Sequence, residues 1–218
     1  MRSLMIATCI VCVLAAPALA EKTYDYKWYT EGATILGTLG GCEAALSAEM
    51  NLPTAPGYAL QLTKTTPATQ GYATAFLACV WGLQEGDVVT ASFWRHDPTA
   101  GYPRMRLWAH YNDALGQPDN RSHDTQVVNG LAYGDMDFGT EAGWDNPEWT
   151  WTVPAGHCGL VIDAVVYGEV GDVMYLDDFN ITIPNHAVIQ TPMFFFDENG
   201  NPVSTDSQSW SEIKTLFR

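Results

Sequence analysis

Beyond a leader-like start, the chain shows almost no helical periodicity until its last ten residues. Short alternating runs recur instead, at 58–62, 72–83, 87–96, 104–111, 149–153, 159–167 and 173–183, separated by Gly, Pro, Asn and Asp. A period of two sends successive side chains to opposite faces, so seven such runs with turns between them predict a β-sandwich or barrel. Glu85-Gly86-Asp87 reads as a turn joining two of these strands in a hairpin-like step. Residues 113–148 read as one long connection, of a length that usually carries function or mobility.

The ends have a different character. Arg2, an apolar run and the small residues Ala18-Leu19-Ala20 have the form of a secretory signal peptide, cut after Ala20. That run is shorter than the roughly 20 residues of a bilayer span, and no later run is longer, so no membrane span is expected. Residues 185–208 lose the alternation and have the polar composition of a linker. The closing SWSEIKTLFR predicts a short C-terminal helical tail over 209–218, capped by Ser209 or Ser211, with Trp210, Ile213, Leu216 and Phe217 on one side. Such a tail docks on its own domain or serves a self-assembly or sorting partner. The expected organisation is a signal peptide at 1–20, a β-sandwich at 21–184, a linker at 185–208 and a tail at 209–218, in a protein that is secreted or held at the cell surface.

Charge narrows the partners. Twenty-five acidic residues against ten basic ones give a formal net charge of −15. That surface repels phosphates and anionic membranes, which argues against nucleic acid and leaves neutral ligands and cations. Export favours disulfides, but Cys42, Cys79 and Cys158 allow only one bridge, and their spacing matches no zinc site.

Parity sorts the side chains further. In 87–96, Val89, Ala91 and Phe93 share the core face, opposite Thr90, Ser92, Trp94 and His96. In 104–112, Met105, Leu107, Ala109 and Tyr111 share one face, opposite Arg104, Arg106, Trp108, His110 and Asn112. Consecutive strands are usually neighbours. If these two are, Trp94 and Trp108 lie on one outer surface with Arg104, Arg106 and His110, as a sugar site requires: indoles for C–H faces and planar groups for hydroxyls. The plainer reading is a solvated sheet face covered by the 113–148 connection. In the last strand, Asp177 shares parity with Tyr175, Phe179 and Ile181, so it points inward, with Asp178 opposite. A buried carboxylate needs a cation or a set of N–H groups. A structural calcium is one solution and loop-capping hydrogen bonds are the other.

The segments GYALQLT, FLACVWGLQEGDVVTASFWRHD, WTWTVPAGHCGLVIDAVVYG and VMYLDDFNITIP follow one another in an order that resembles jelly-roll carbohydrate-binding modules of the family 4/9 type, across roughly residues 31–184. The resemblance implies an all-β, antiparallel jelly-roll β-sandwich of the galactose-binding-like kind. It also implies a structural calcium held by Asp177, with Asp178 beside it, and a ligand near the module's start. Glu31 in YTEGATILG stands there in place of the usual opening signature. It implies glycan binding through Trp94 and Trp108 on a sheet and through Trp144 on an edge loop.

Catalytic signatures are sparse. The sequence has no H-E-x-x-H, G-x-S-x-G or phosphate-binding Gly-rich loop; glycoside hydrolysis needs two carboxylates, for which Asp163 and Glu148 are examples among the many acids of so acidic a chain. The expected function is therefore non-catalytic binding of a glycan or cell-surface polysaccharide. The alternative is a structural or adhesive component in which the same fold is only a building block.

Overall fold

The computed structural model describes residues 21–26, 37–39, 41–47, 59–67, 73–98, 104–114, 129–137, 142–190, 195–196 and 202–203, and every regular element among them is a strand. They form two antiparallel sheets. In one, β10 (Glu148–Thr152), β6 (Val88–Asp97), β12 (Val173–Pro184), β1 (Glu21–Tyr26), β14 (Phe195–Phe196) and β15 (Pro202–Val203) lie in that order. β4 (Ala59–Lys64) also pairs with β12, β3 (Cys42–Ser47) with β4, and β9 (Gly143–Asp145) with β6. In the other, the order is β13 (Val188–Gln190), β5 (Ala73–Trp81), β11 (Gly159–Tyr167), β7 (Arg104–Tyr111) and β8 (Gly130–Gly134), with β2 (Gly37–Leu39) also beside β5.

Alternation builds the core between them. Leu62, Val89, Ala91, Phe93, Leu176 and Ile181 from the β6 sheet meet Leu77, Val80, Met105, Leu107, Leu160 and Ile162 from the β7 sheet. Each large apolar side chain taken fully out of water contributes about 1.5–3 kcal/mol. β5 and β11 lie inside their sheet and are buried on both faces, which is why ATAFLACVW and GLVIDAVVY read as nearly continuous apolar runs. Their outer residues Phe76, Cys79 and Val161 form a second, smaller apolar cluster with Trp81 packed against it.

The all-β, two-sheet architecture is the one expected. Several connections differ. The turn at Glu85-Gly86-Asp87 is present, with Gly86 at φ +87° and the Asp87 N–H donating to the Gln84 carbonyl. It carries the chain from β5 in one sheet to β6 in the other, so it makes a corner and not a hairpin. The expected 113–148 connection contains β8 and β9. Part of the expected linker is strand as well: β13 joins β5, and β14 pairs with β1 and β15. The leader at 1–20 and the tail at 209–218 lie outside the described residues. No helix among the described residues is long and apolar enough to cross a membrane.

All three described cysteines are free, which corrects the expected disulfide. Val161 pairs with Cys79 and Gly159 with Trp81, so Cys158 is three residues along the strand from the level of Cys79. At about 3.3 Å per residue that is roughly 10 Å, beyond the ~7 Å a disulfide spans between Cα atoms. Cys42 lies in the other sheet.

Candidate functional site

The outer face of the β7 sheet is built row by row. Register aligns Phe76, Asp163, Trp108 and Gly134 across β5, β11, β7 and β8. The next row is Cys79, Val161, His110 and Leu131, and on the other side Val165 lies between Thr74 and Arg106. This face grades from a sealed floor to an open lip. Asp163 is 2% exposed and His110 6%, whereas Leu131, Tyr133 and Met136, along β8 and just beyond it, are each more than half exposed. Trp108, Arg106 and Tyr167 are half-buried between the two.

At the lip, the Arg106 guanidinium lies 3.7 Å from the centre of the Trp108 ring and 4.9 Å from that of Tyr167. The Tyr133 ring meets Trp108 edge-on, with centroids 5.4 Å apart. Cation–π and edge-to-face contacts of this kind contribute about 0.5–1.5 kcal/mol each and fix ring orientation. Tyr133 reaches this position because the β7–β8 register slips between Ala109 and His110, and Tyr133 takes φ +61°. The Trp151 indole N–H donates to the Tyr133 carbonyl at 2.8 Å and holds that turn. Gly134 follows by necessity, since a Cβ there would meet the Leu107 carbonyl oxygen at 2.2 Å.

At the floor, His110 Nδ1 lies 2.9 Å from Asp163 Oδ2. Burial pushes the Asp163 carboxyl up to about 6, against the lowering influence of the His110 hydrogen bond and charge. His110 Nε2 and Asp163 Oδ1 are buried and have no hydrogen-bond partner among the described residues. Such atoms cost free energy and call for a specific account. The Cys79 thiol, in the next row, is pushed up to about 12 by burial and by the Asp163 charge.

The six expected ligand residues do not form one surface. Arg106, Trp108 and His110 share the outer face of the β7 sheet, as their parity predicts. Arg104 opens β7 opposite Tyr167, and its side chain lies outside the described part. Trp94 and Trp144 belong to the β6 sheet, so the platform of Trp94 and Trp108 is corrected: the two indoles lie on opposite outer faces. The reason is the chain path, because consecutive strands β6 and β7 fall in different sheets. Trp94 faces Asp177 across β6 and β12, and the next row joins Trp144, His96 and Tyr175. The His96 ring lies 5.0 Å from Trp144 and 6.1 Å from Tyr175. Asp163 and Glu148, the carboxylate pair considered for hydrolysis, are likewise split between the two sheets.

The inward reading of Asp177 is also corrected. A bulge shifts the β12–β6 register between Asp177 and Asn180, with Asp178 at φ +53°. Met174 and Leu176 before it and Phe179, Ile181 and Ile183 after it all enter the core, so parity reverses at the bulge and Asp177 faces out with Tyr175. Asp177 is nevertheless 2% exposed, and neither acid lacks an interaction partner. No group of three or more His, Cys, Asp or Glu side chains able to hold a metal occurs among the described residues. Glu31 lies outside the described residues.

Parity overlooked two members of the lip and its support. Tyr133 sat in what read as a loop. Arg95 continues the core parity of Val89, Ala91 and Phe93, and a charge at a core position is itself a signal.

No protein-family model and no curated protein matches the chain. Solved structures do. The CBM22-1–CBM22-2 tandem domain of Paenibacillus barcinonensis superposes with a TM-score of 0.50 at 17% identity, over 78% of this chain and 47% of the tandem. The CBM22-1 xylan-binding domain of the same organism gives 0.45 at 14% identity, over 74% of this chain and 92% of that one. A mannan-recognising module of the CBM27 kind gives 0.36 at 16% identity, over 68% and 86%. At these identities the likeness is one of fold, a β-sandwich shared with carbohydrate-binding modules, and the finer 4/9 type does not follow from it.

Proposed function

We propose that the protein is a secreted, non-catalytic glycan-binding module, and that it binds a neutral polysaccharide along the β7–β8 half of one outer sheet face. The observation that carries this reading is the lip itself. Trp108 is held between the Arg106 guanidinium and the Tyr133 edge, on a shelf that is open at β8 and closed at β5. Sugar rings present C–H faces to aromatic rings and hydroxyls to planar donors and acceptors. Tyr133, Trp108 and Tyr167 supply the rings, and Arg106 supplies the N–H groups. Each ring is fixed before a ligand arrives, which lowers the entropy cost of binding.

Neutral chains are favoured because a formal charge of −15 repels polyanions. The xylan and mannan named for two of the structural neighbours are neutral glycans of this class, and serve as the first ligands to try. The His110–Asp163 pair sits below the lip with one carboxylate, and Glu148, one candidate for a second acid, is in the other sheet.

Affinity electrophoresis through gels cast with xylan, mannan or other neutral polysaccharides tests it. Wild type is retarded in at least one gel, and Trp108→Ala and Tyr133→Ala are released from it. Equal mobility of all three proteins in every gel removes the reading.

A further inference from the structure

Arg95 is 2% exposed on the core side of β6, where an uncompensated guanidinium would be very costly. Oxygens surround it. Nε and Nη2 donate to the two carboxylate oxygens of Asp145, each at 2.7 Å. Nη1 donates to the Met105 carbonyl at 2.5 Å and to the Asp137 carbonyl at 2.9 Å. Asp135 Oδ2 stands 3.6 Å away as a further charge. Carboxylates and backbone carbonyls converging on one positive centre are the ligand set that a hard cation selects. Here the positive centre is a side chain.

The sources of these oxygens give the cage its meaning. Met105 is the β7 residue before Arg106, Asp135 and Asp137 flank Met136 just past Tyr133 and Gly134, and Asp145 closes β9. The Asp135 N–H donates to the Leu107 carbonyl, and the Asp137 N–H to Asp135 Oδ1. Arg95, from one sheet, therefore gathers the chain that forms the lip of the other. We propose that Arg95 is a resident cation that positions the glycan lip, with segment 135–137 and β9 folded around its guanidinium and Tyr133 thereby held against Trp108. The lip half of this inference rests on the glycan-binding reading, whereas the cation half stands on the cage alone. Only a planar fork can serve Asp145 through two bonds and two carbonyls at once, so lysine is no substitute.

Arg95→Ala empties the cage, and a small cation added in solution should refill it. The variant is expected to melt roughly 5–10 °C below wild type. About 50 mM guanidinium should recover at least half of that drop, while sodium at equal ionic strength should not, since only guanidinium reproduces the fork. Polysaccharide retardation is lost in the variant and returns with guanidinium. Should Arg95→Ala not fold, Asp145→Asn, at a half-exposed position, removes the paired charge. The Asn amide keeps one oxygen on the guanidinium, so this variant is expected to melt below wild type by less than Arg95→Ala would and to be released from the gel.

Recovery by sodium as good as by guanidinium, or by neither, overturns the resident cation. Full retardation of Arg95→Ala or Asp145→Asn in a gel that retains wild type overturns the positioning role. If wild type itself runs free in every gel, the glycan reading fails and the positioning role with it. The melting recovery still decides the cage.

Discussion

Replacing Asp163 by Asn should flatten a specific part of the pH–stability curve. The carboxyl is buried beside His110, and burial lifts it from 3.8 to about 6. Below pH 3.8 it is protonated in both the folded and the unfolded chain. Between 3.8 and about 6 the folded protein keeps a proton that the unfolded chain gives up, so rising pH favours unfolding. Above about 6 the loss is complete. A rise from 3.8 to about 6 corresponds to about 3 kcal/mol, at roughly 1.4 kcal/mol per pH unit.

Asn keeps the shape and a hydrogen bond to His110 but has no charge to lose. The stability of wild type minus that of Asp163→Asn should therefore grow by up to about 3 kcal/mol as pH falls from 7 to 4, or roughly 6–12 °C in melting temperature for a domain of this size. Thermal or urea unfolding of both proteins at half-unit pH steps measures it. Parallel curves would refute the account of Asp163 as a carboxyl penalised by burial. A difference that shrinks toward acid pH would show instead that the ion pair with His110 outweighs the desolvation.

Other consequences are more local. Gly134→Ala forces a methyl into the Leu107 carbonyl, and should cost about 1–3 kcal/mol in urea unfolding while also weakening any glycan retardation. Of the three described thiols, Cys158 is partly exposed while Cys42 and Cys79 are buried and pushed up to about 12, so iodoacetamide at pH 8 should label Cys158 before these two, which react only when the protein unfolds. Arg106→Ala removes the guanidinium over Trp108 and Tyr167 and should weaken polysaccharide binding about tenfold, near 1.4 kcal/mol, with a fall of a few degrees in melting temperature.

Much of the fold was legible because alternation is a local signal. The runs at 104–111 and 159–167 match β7 and β11 end to end, and the others match their strands to within three residues at either end. What alternation cannot carry is which strand lies beside which. Trp94 and Trp108 point outward as their parity requires, but β6 and β7 are in different sheets, so the shared platform fails on topology and not on facing. Bulges are the second blind spot. One extra residue at Asp178 reverses the parity counted from Phe179 back to Asp177, and a second near Ala109 turns Tyr133 to the surface from a stretch that read as loop. Arg95 and Asp163 are both charged and both deep within strands, a signal that the parity reading passed over. Their partners, Asp145 and His110, lie 50 and 53 residues away, and only the fold brings them together.

The central claim is that a glycan is held on the Trp108 face and not on the Trp94 face. Electrophoresis of Trp108→Ala and Trp94→Ala side by side through a gel that retards wild type tests it directly. Release of the first with full retention of the second is the predicted result. Release of Trp94→Ala with retention of Trp108→Ala would move the ligand to the other side of the sandwich and contradict the account.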